Sequence, residues 1–167
     1  VPGSLVGDVV AADRGKVFLL RAHELASSYP TVRPDTPVIE AARLLAGQDL
    51  PGLIVVDDRG APWTILAGTQ VLRLAVPHYC QDDPNLARVI DEAAADVFLR
   101  GLGERTVQES LPGERPELPV VHPDATVLEV AAVMARTRVP LVAVAESDGV
   151  LQGAITLDSL LDRVLAQ

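Results

Sequence analysis

The chain is expected to fold in the α/β (α+β) class, as two copies of one strand-and-helix unit with a linker helix between them. Three observations lead there. A stretch of roughly forty residues recurs without a gap at a fixed spacing of 89, Pro34 to Pro123. In both copies short aliphatic runs alternate with segments of helical periodicity. Hydrophobic residues make up 49 % of the chain and aromatics only 3 %, so the core is built from Val, Leu, Ile and Ala, which suits strands covered by helices.

Under this spacing Pro34, Asp35, Val38, Glu40 and Ala42 meet Pro123, Asp124, Val127, Glu129 and Ala131. Farther on, Pro51 meets Pro140, Val55 meets Val144, Gly60 meets Gly149 and Leu72 meets Leu161. Each copy opens with a Pro-Asp turn and a helix. Thr126 and Glu129 have capping-box spacing, and Pro37 brings a preset φ to the start of the first helix. Val38, Ala41, Ala42, Leu44 and Leu45 then recur at helical spacing, as do Val127, Val130, Ala131, Val133 and Met134. Leu53 to Val56 and Leu141 to Val144 read as buried strands. Asp57-Asp58-Arg59-Gly60 and Glu146-Ser147-Asp148-Gly149 are hairpin turns ending on glycines that tolerate positive φ. Second strands follow at Trp63 to Ala67 and Leu151 to Thr156, and closing helices at Thr69 to Val76 and Asp158 to Leu165.

A linker helix is expected over 82–101, with Asp83 as cap and Pro84 in its first turn. Leu86, Val89, Ile90, Ala93, Val97 and Phe98 line its apolar face, and Gly101 and Gly103 end it. Ahead of the first copy, Val6, Val9, Val10, Val17, Phe18 and Leu19 suggest a further packed element.

Several function classes fall away. The formal charge of −9 with a single lysine, Lys16, repels a phosphate backbone, so no nucleic-acid partner is expected. Cys80 is the sole cysteine, which excludes a disulfide framework and a Cys-based zinc site and fits a reducing, cytoplasmic location. Cys80 has no basic group visibly paired with it and reads as a packed or partly exposed thiol. No apolar run is long enough to cross a bilayer. His23, His78 and His122 stand apart and read as surface or loop residues, so no metal is expected. Neither a Gly-x-Ser-x-Gly elbow nor a glycine-rich phosphate loop is present, and no enzyme is expected.

The order of elements, the Pro-Asp-x-x-Val-x-Glu-Ala opening, the Val139-Pro140 step and the closing Gly153-Ala154-Ile155-Thr156-Leu157-Asp158 resemble CBS domains, which come in pairs. With lead-in strands near Thr31-Val32 and Val120-Val121, the resemblance covers most of residues 20–166. It implies two pseudo-twofold-related β-α-β-β-α units, a Bateman module, assembling further into a homodimer. It also implies regulation of a partner protein or an attached transporter or enzyme, through an adenosine-containing ligand: AMP, ADP, ATP, S-adenosylmethionine or a dinucleotide. The expected divisions are a lead-in over 1–20, repeats over 21–80 and 105–167, and a linker over 81–104.

A nucleoside needs a carboxylate for its ribose, a flat apolar slot for its base and donors for its phosphates. The second copy offers Asp158, the Val139-Pro140-Leu141 strand entry with Val121 nearby, and Thr156. Arg136 and Arg138 precede the strand, within reach of a phosphate. Asp158 is equally suited to capping the last helix. The resemblance gives the family ending as Gly-hydrophobic-x-Thr/Ser-x-x-Asp, and the second copy is expected to fulfil it. The first copy places Ala67 and Thr69 at the positions of Thr156 and Asp158, so it lacks the hydroxyl and the charge, and Thr69 is expected only to cap a helix. At most one cleft is therefore expected to bind. The other reading is a ligand-free dimerisation module, held by helix faces such as Leu157, Leu160, Leu161, Val164 and Leu165.

Overall fold

The computed structural model describes residues 20–166 apart from 49, 77, 90–95, 97–99 and 116. The apolar lead-in at Val6 to Leu19 lies outside them, as do Ile90, Ala93, Val97 and Phe98 of the expected linker. The described residues form two compact units. Unit 1 joins the residues up to Tyr29 and Gly60–Pro62 to those from Leu118 on; unit 2 holds Pro30–Arg59 and Trp63–Glu117.

Unit 2 carries the first copy. Its sheet has the order β1 (Thr31–Val32), β2 (Leu53–Val56), β3 (Pro62–Leu66). β1 lies parallel to β2, Thr31 opposite Ile54 and Val32 opposite Val55. A parallel pair needs a crossover, and α2 (Val38–Gln48) supplies it. β2 is buried along its whole length, which explains why its sequence is an unbroken aliphatic run. Gly60 closes the hairpin turn at φ +81°, and Asp57 accepts the Arg59 N–H at 2.8 Å. Beyond β3 come α3 (Gly68–Ala75), α4 (His78–Asp82) and a 3₁₀ helix at Pro84–Val89. Val32, Val38, Leu53, Val55 and Leu66 form the core with Leu102 and Val107.

Unit 1 carries the second copy with the same order: β4 (Val120–Val121), β5 (Leu141–Ala145), β6 (Leu151–Thr156). β4 is parallel to β5 and β6 antiparallel to it. The crossover helix α6 (Val127–Thr137) begins with the expected capping box. Thr126 Oγ1 accepts the Glu129 N–H at 3.1 Å, and Glu129 Oε2 accepts the Thr126 N–H at 3.3 Å. Gly149 turns the hairpin at φ +83°. The closing helix is α7 (Leu157–Leu165). Val127, Val130, Met134, Val142, Ile155 and Leu160 form the core, together with Ala22.

Two short helices enter these cores from distant parts of the chain. α1 (Ala22–Leu25) belongs to unit 1, and the first of its residues is fully buried there. Ala22 N–H donates to Ala125 C=O at 2.8 Å and His23 N–H to Pro123 C=O at 2.9 Å. α5 (Val107–Ser110) repeats this in unit 2, where Val107 N–H donates to Thr36 C=O at 2.8 Å and Gln108 N–H to Pro34 C=O at 2.9 Å. Past α1, Ser27 pairs with Ala154 as an antiparallel bridge with both bonds at 3.0 Å, closing the outer edge of β6. Gly153 permits this approach: a Cβ there would sit 2.8 Å from the Ser27 carbonyl oxygen.

Four local expectations are corrected. α7 is capped by Thr156 and not by Asp158, because the Thr156 hydroxyl accepts the Ser159 N–H at 3.1 Å. α3 is entered through Ala67 and not Thr69; with no hydroxyl there, Gln70 Oε1 reaches back to the Ala67 N–H at 2.8 Å. The start of the linker is a 3₁₀ helix, since the Asp83 carbonyl takes the Leu86 N–H and its side chain takes the Asn85 N–H. Gly101 lies inside a helical stretch, and the turn falls at Gly103.

Candidate functional site

Unit 1 brings three of the expected residues together. The loop between α6 and β5 carries Arg138, Val139 and Pro140, and these line an apolar cleft of about 390 Å³ between α6 and α7. Ala131 and Met134 of α6 form one wall, and Leu157, Leu160 and Leu161 of α7 the other. Its size lies in the range of small-molecule sites, and its walls suit a flat apolar group.

Arg138 is the one described non-glycine residue at positive φ, with φ 57° and ψ 26°. It ends α6 in the left-handed conformation, donating its N–H to the Met134 carbonyl at 2.8 Å. A side chain in this conformation costs about 1–2 kcal/mol. The guanidinium is exposed and makes no hydrogen bond or ion pair among the described residues. It is a free cation at the mouth of an apolar slot.

The other expected residues lie elsewhere. Leu141 is fully buried in β5 and offers no ligand surface. Val121 lines a separate cleft beside β4. Thr156 is half-buried and its hydroxyl is engaged in capping α7. Asp158 is exposed in the first turn of that helix. The spacing also corrects the sequence reading: three residues after Thr156 stands Ser159, so Asp158 falls one short of the Thr/Ser-x-x-Asp pattern. Ser159 turns its hydroxyl back to donate to the Thr156 carbonyl at 3.1 Å. A carboxylate is thus missing from that place in the second copy, as it is in the first, where Gln70 stands.

Of the histidines, His23 places Nδ1 3.0 Å from the Pro123 carbonyl, and His122 Nδ1 accepts the Asp124 N–H at 3.1 Å. Among the described residues no group of His, Cys, Asp or Glu is placed to hold a metal ion. Cys80 is buried in α4. No helix among the described residues is long and apolar enough to cross a membrane.

Comparison with known proteins gives a consistent family picture. The CBS-domain family model matches residues 22–63 and 114–166. A CBS-domain-containing protein of unknown function from Kribbella flavida is 50 % identical, with a TM-score of 0.81, over 87 % of this chain and 99 % of that one. The CBS domain of a membrane protein from Sphaerobacter thermophilus is 21 % identical, with a TM-score of 0.73, over 95 % of this chain and 96 % of its own. The CBS-pair protein CBSX2 from Arabidopsis thaliana is similar at 18 % identity and a TM-score of 0.65, over 87 % of this chain and 94 % of that one. A structure of CBSX2 in complex with AMP is similar at 20 % identity and a TM-score of 0.61, over 87 % of this chain and 96 % of that one. No curated protein matches.

Proposed function

Since the chain belongs to the CBS-domain family, we propose that it is a non-catalytic regulatory CBS pair that senses an adenosine-containing ligand through its second copy. The base lies in the slot between α6 and α7, against Met134, Val139 and Pro140, and Arg138 meets the phosphate. Asp158, exposed in the first turn of α7, is the carboxylate offered to a ribose. One observation carries this reading: Arg138 is a free cation at the slot, whereas the position equivalent to it in the first copy is Asp49, which repels a phosphate. Binding in one copy alone follows. The complex of CBSX2 with AMP supports the ligand class. The ligand state is passed to a separate effector protein or to an attached transporter or enzyme, in the cytoplasm, where such nucleotides are abundant.

The test is thermal unfolding with AMP, ADP, ATP and S-adenosylmethionine, on the wild type, Arg138→Asp and Asp158→Ala. A ligand at 100 times its dissociation constant adds roughly 2.7 kcal/mol, enough to raise the midpoint by several degrees. A rise lost in Arg138→Asp supports the site. A rise unchanged in Arg138→Asp moves the ligand elsewhere, and no rise with any compound removes the sensing reading.

A second reading rests on the leucines that α7 leaves in solvent, Leu157, Leu161 and the 73 %-exposed Leu165. With Leu72 of α3 likewise exposed, these faces suit a homodimer contact. Light scattering that gives a monomer at high concentration would overturn it.

A further inference from the structure

The outer edge of β4 is a second place where the copies have diverged, and it does not depend on the nucleotide reading. Pro119 C=O accepts the Ala143 N–H at 2.9 Å. In a parallel pair the bonding residues alternate, so the Val120 N–H and C=O turn away from β5. Ser27 closes the far edge of the same sheet; among the described residues no strand pairs with the free edge of β4. Val120 is 47 % exposed there.

Beside this edge runs a groove of about 560 Å³ between β4 and α6. Val120, Ala132 and Val133 line it with apolar groups and Asp124 and Glu129 with acidic ones, the Asp124 carboxylate 3.7 Å from His122 Nδ1 and that of Glu129 accepting the Thr126 N–H. The first copy has Thr31 for Val120, Arg33 for His122 and Arg43 for Ala132. Its Arg33 is held by Asp35 and Asp58. The second copy has thus replaced a threonine by valine and both arginines by uncharged or weakly basic groups, while keeping both carboxylates. The result is an open strand edge beside a groove lined by apolar and acidic residues.

We propose that this groove takes an extended basic segment of a partner protein as an added strand. Val120 supplies one pair of main-chain hydrogen bonds, an apolar side chain of the segment sits on Ala132 and Val133, and a Lys or Arg faces Asp124 and Glu129. The chain's net charge of −9 attracts such a segment over a longer range. Acidic segments are repelled, and the first copy, with its two arginines, does not compete.

The test uses the whole chain and a fluorescein-labelled synthetic peptide of alternating valine and lysine, read by anisotropy at low salt. Saturable binding is expected, weaker at high salt, with no binding of the valine–glutamate counterpart. Ala132→Arg, which restores the first copy's residue at an exposed helix position, is expected to weaken binding about tenfold or more through like-charge repulsion with the peptide. Val120→Pro, which deletes the edge N–H, is expected to do the same. An unchanged thermal midpoint in Ala132→Arg confirms that this variant is folded. Absence of saturable binding, or binding indifferent to Ala132→Arg, overturns the proposal. So does a chain that forms dimers which Val120→Pro dissociates without any peptide binding, since the edge would then belong to a second copy.

Discussion

Unit 1 and unit 2 close their sheets in the same way with different residues. In unit 1 the Ser27 main chain pairs with Ala154 past a glycine, Gly153; in unit 2 Glu117 bridges Thr64, the equivalent of Gly153, and Thr64 is fully buried. Arg115 there stacks over Trp63, its guanidinium carbon 3.8 Å from the ring centroid, giving unit 2 a side-chain clasp where unit 1 relies on backbone contact. The difference teaches that the repeat preserves the backbone path and the aliphatic core, whereas the polar fittings drift. Functional differences between the copies are thus to be sought in fittings such as Arg138 against Asp49.

Importing a unit 2 residue into unit 1 breaks the comparison most sharply. Gly153→Thr drives a Cβ into the Ser27 carbonyl and is expected to cost roughly 2–4 kcal/mol in denaturant unfolding. A cost under about 1 kcal/mol would mean that the Ser27 strand yields easily and that the two edges are interchangeable. Next comes the capping box that unit 1 has and unit 2 replaces with Pro37. Thr126→Ala is expected to lose about 1 kcal/mol, measured in the same way.

Arg138→Gly separates stability from sensing. Relief of the left-handed conformation is expected to stabilise unit 1 by about 0.5–1 kcal/mol, while the midpoint rise with nucleotide disappears. Loss of both together would assign Arg138 a structural role instead. The smallest effect is expected at Leu128, which is 66 % exposed on α6: Leu128→Ala should stay within about 0.5 kcal/mol of the wild type.

Much of this was legible in the sequence because its signals are local. The aliphatic runs, the turn glycines Gly60 and Gly149 and the Thr126–Glu129 box place strands, turns and α6 to within a residue or two. The cap of α7 was not, since Thr156 and Asp158 are both good capping residues and only the chain path decides between them. The pairing of α1 with unit 1 and α5 with unit 2 was hidden for a different reason. Ala22 and Glu24 correspond to Val107 and Glu109 at a spacing of 85, so a fixed spacing of 89 passes over them. Of the candidate site, the run Arg138-Val139-Pro140 was legible as a strand entry, whereas the burial of Leu141 and the separate cleft beside Val121 depend on tertiary packing.

The entry of α1 into the core of unit 1 has a consequence for biosynthesis. Ala22 leaves the ribosome before Ile155 and Leu160, which share its core. Unit 1 is thus completed only once Leu160 has been made, and its closure joins residues more than a hundred positions apart, a long-range contact that slows folding. Unit 2 has all its residues by Glu117 and is free to form first. A cut through the linker would leave the N-terminal fragment holding an α1 whose core it does not contain, so the two copies are not two portable modules.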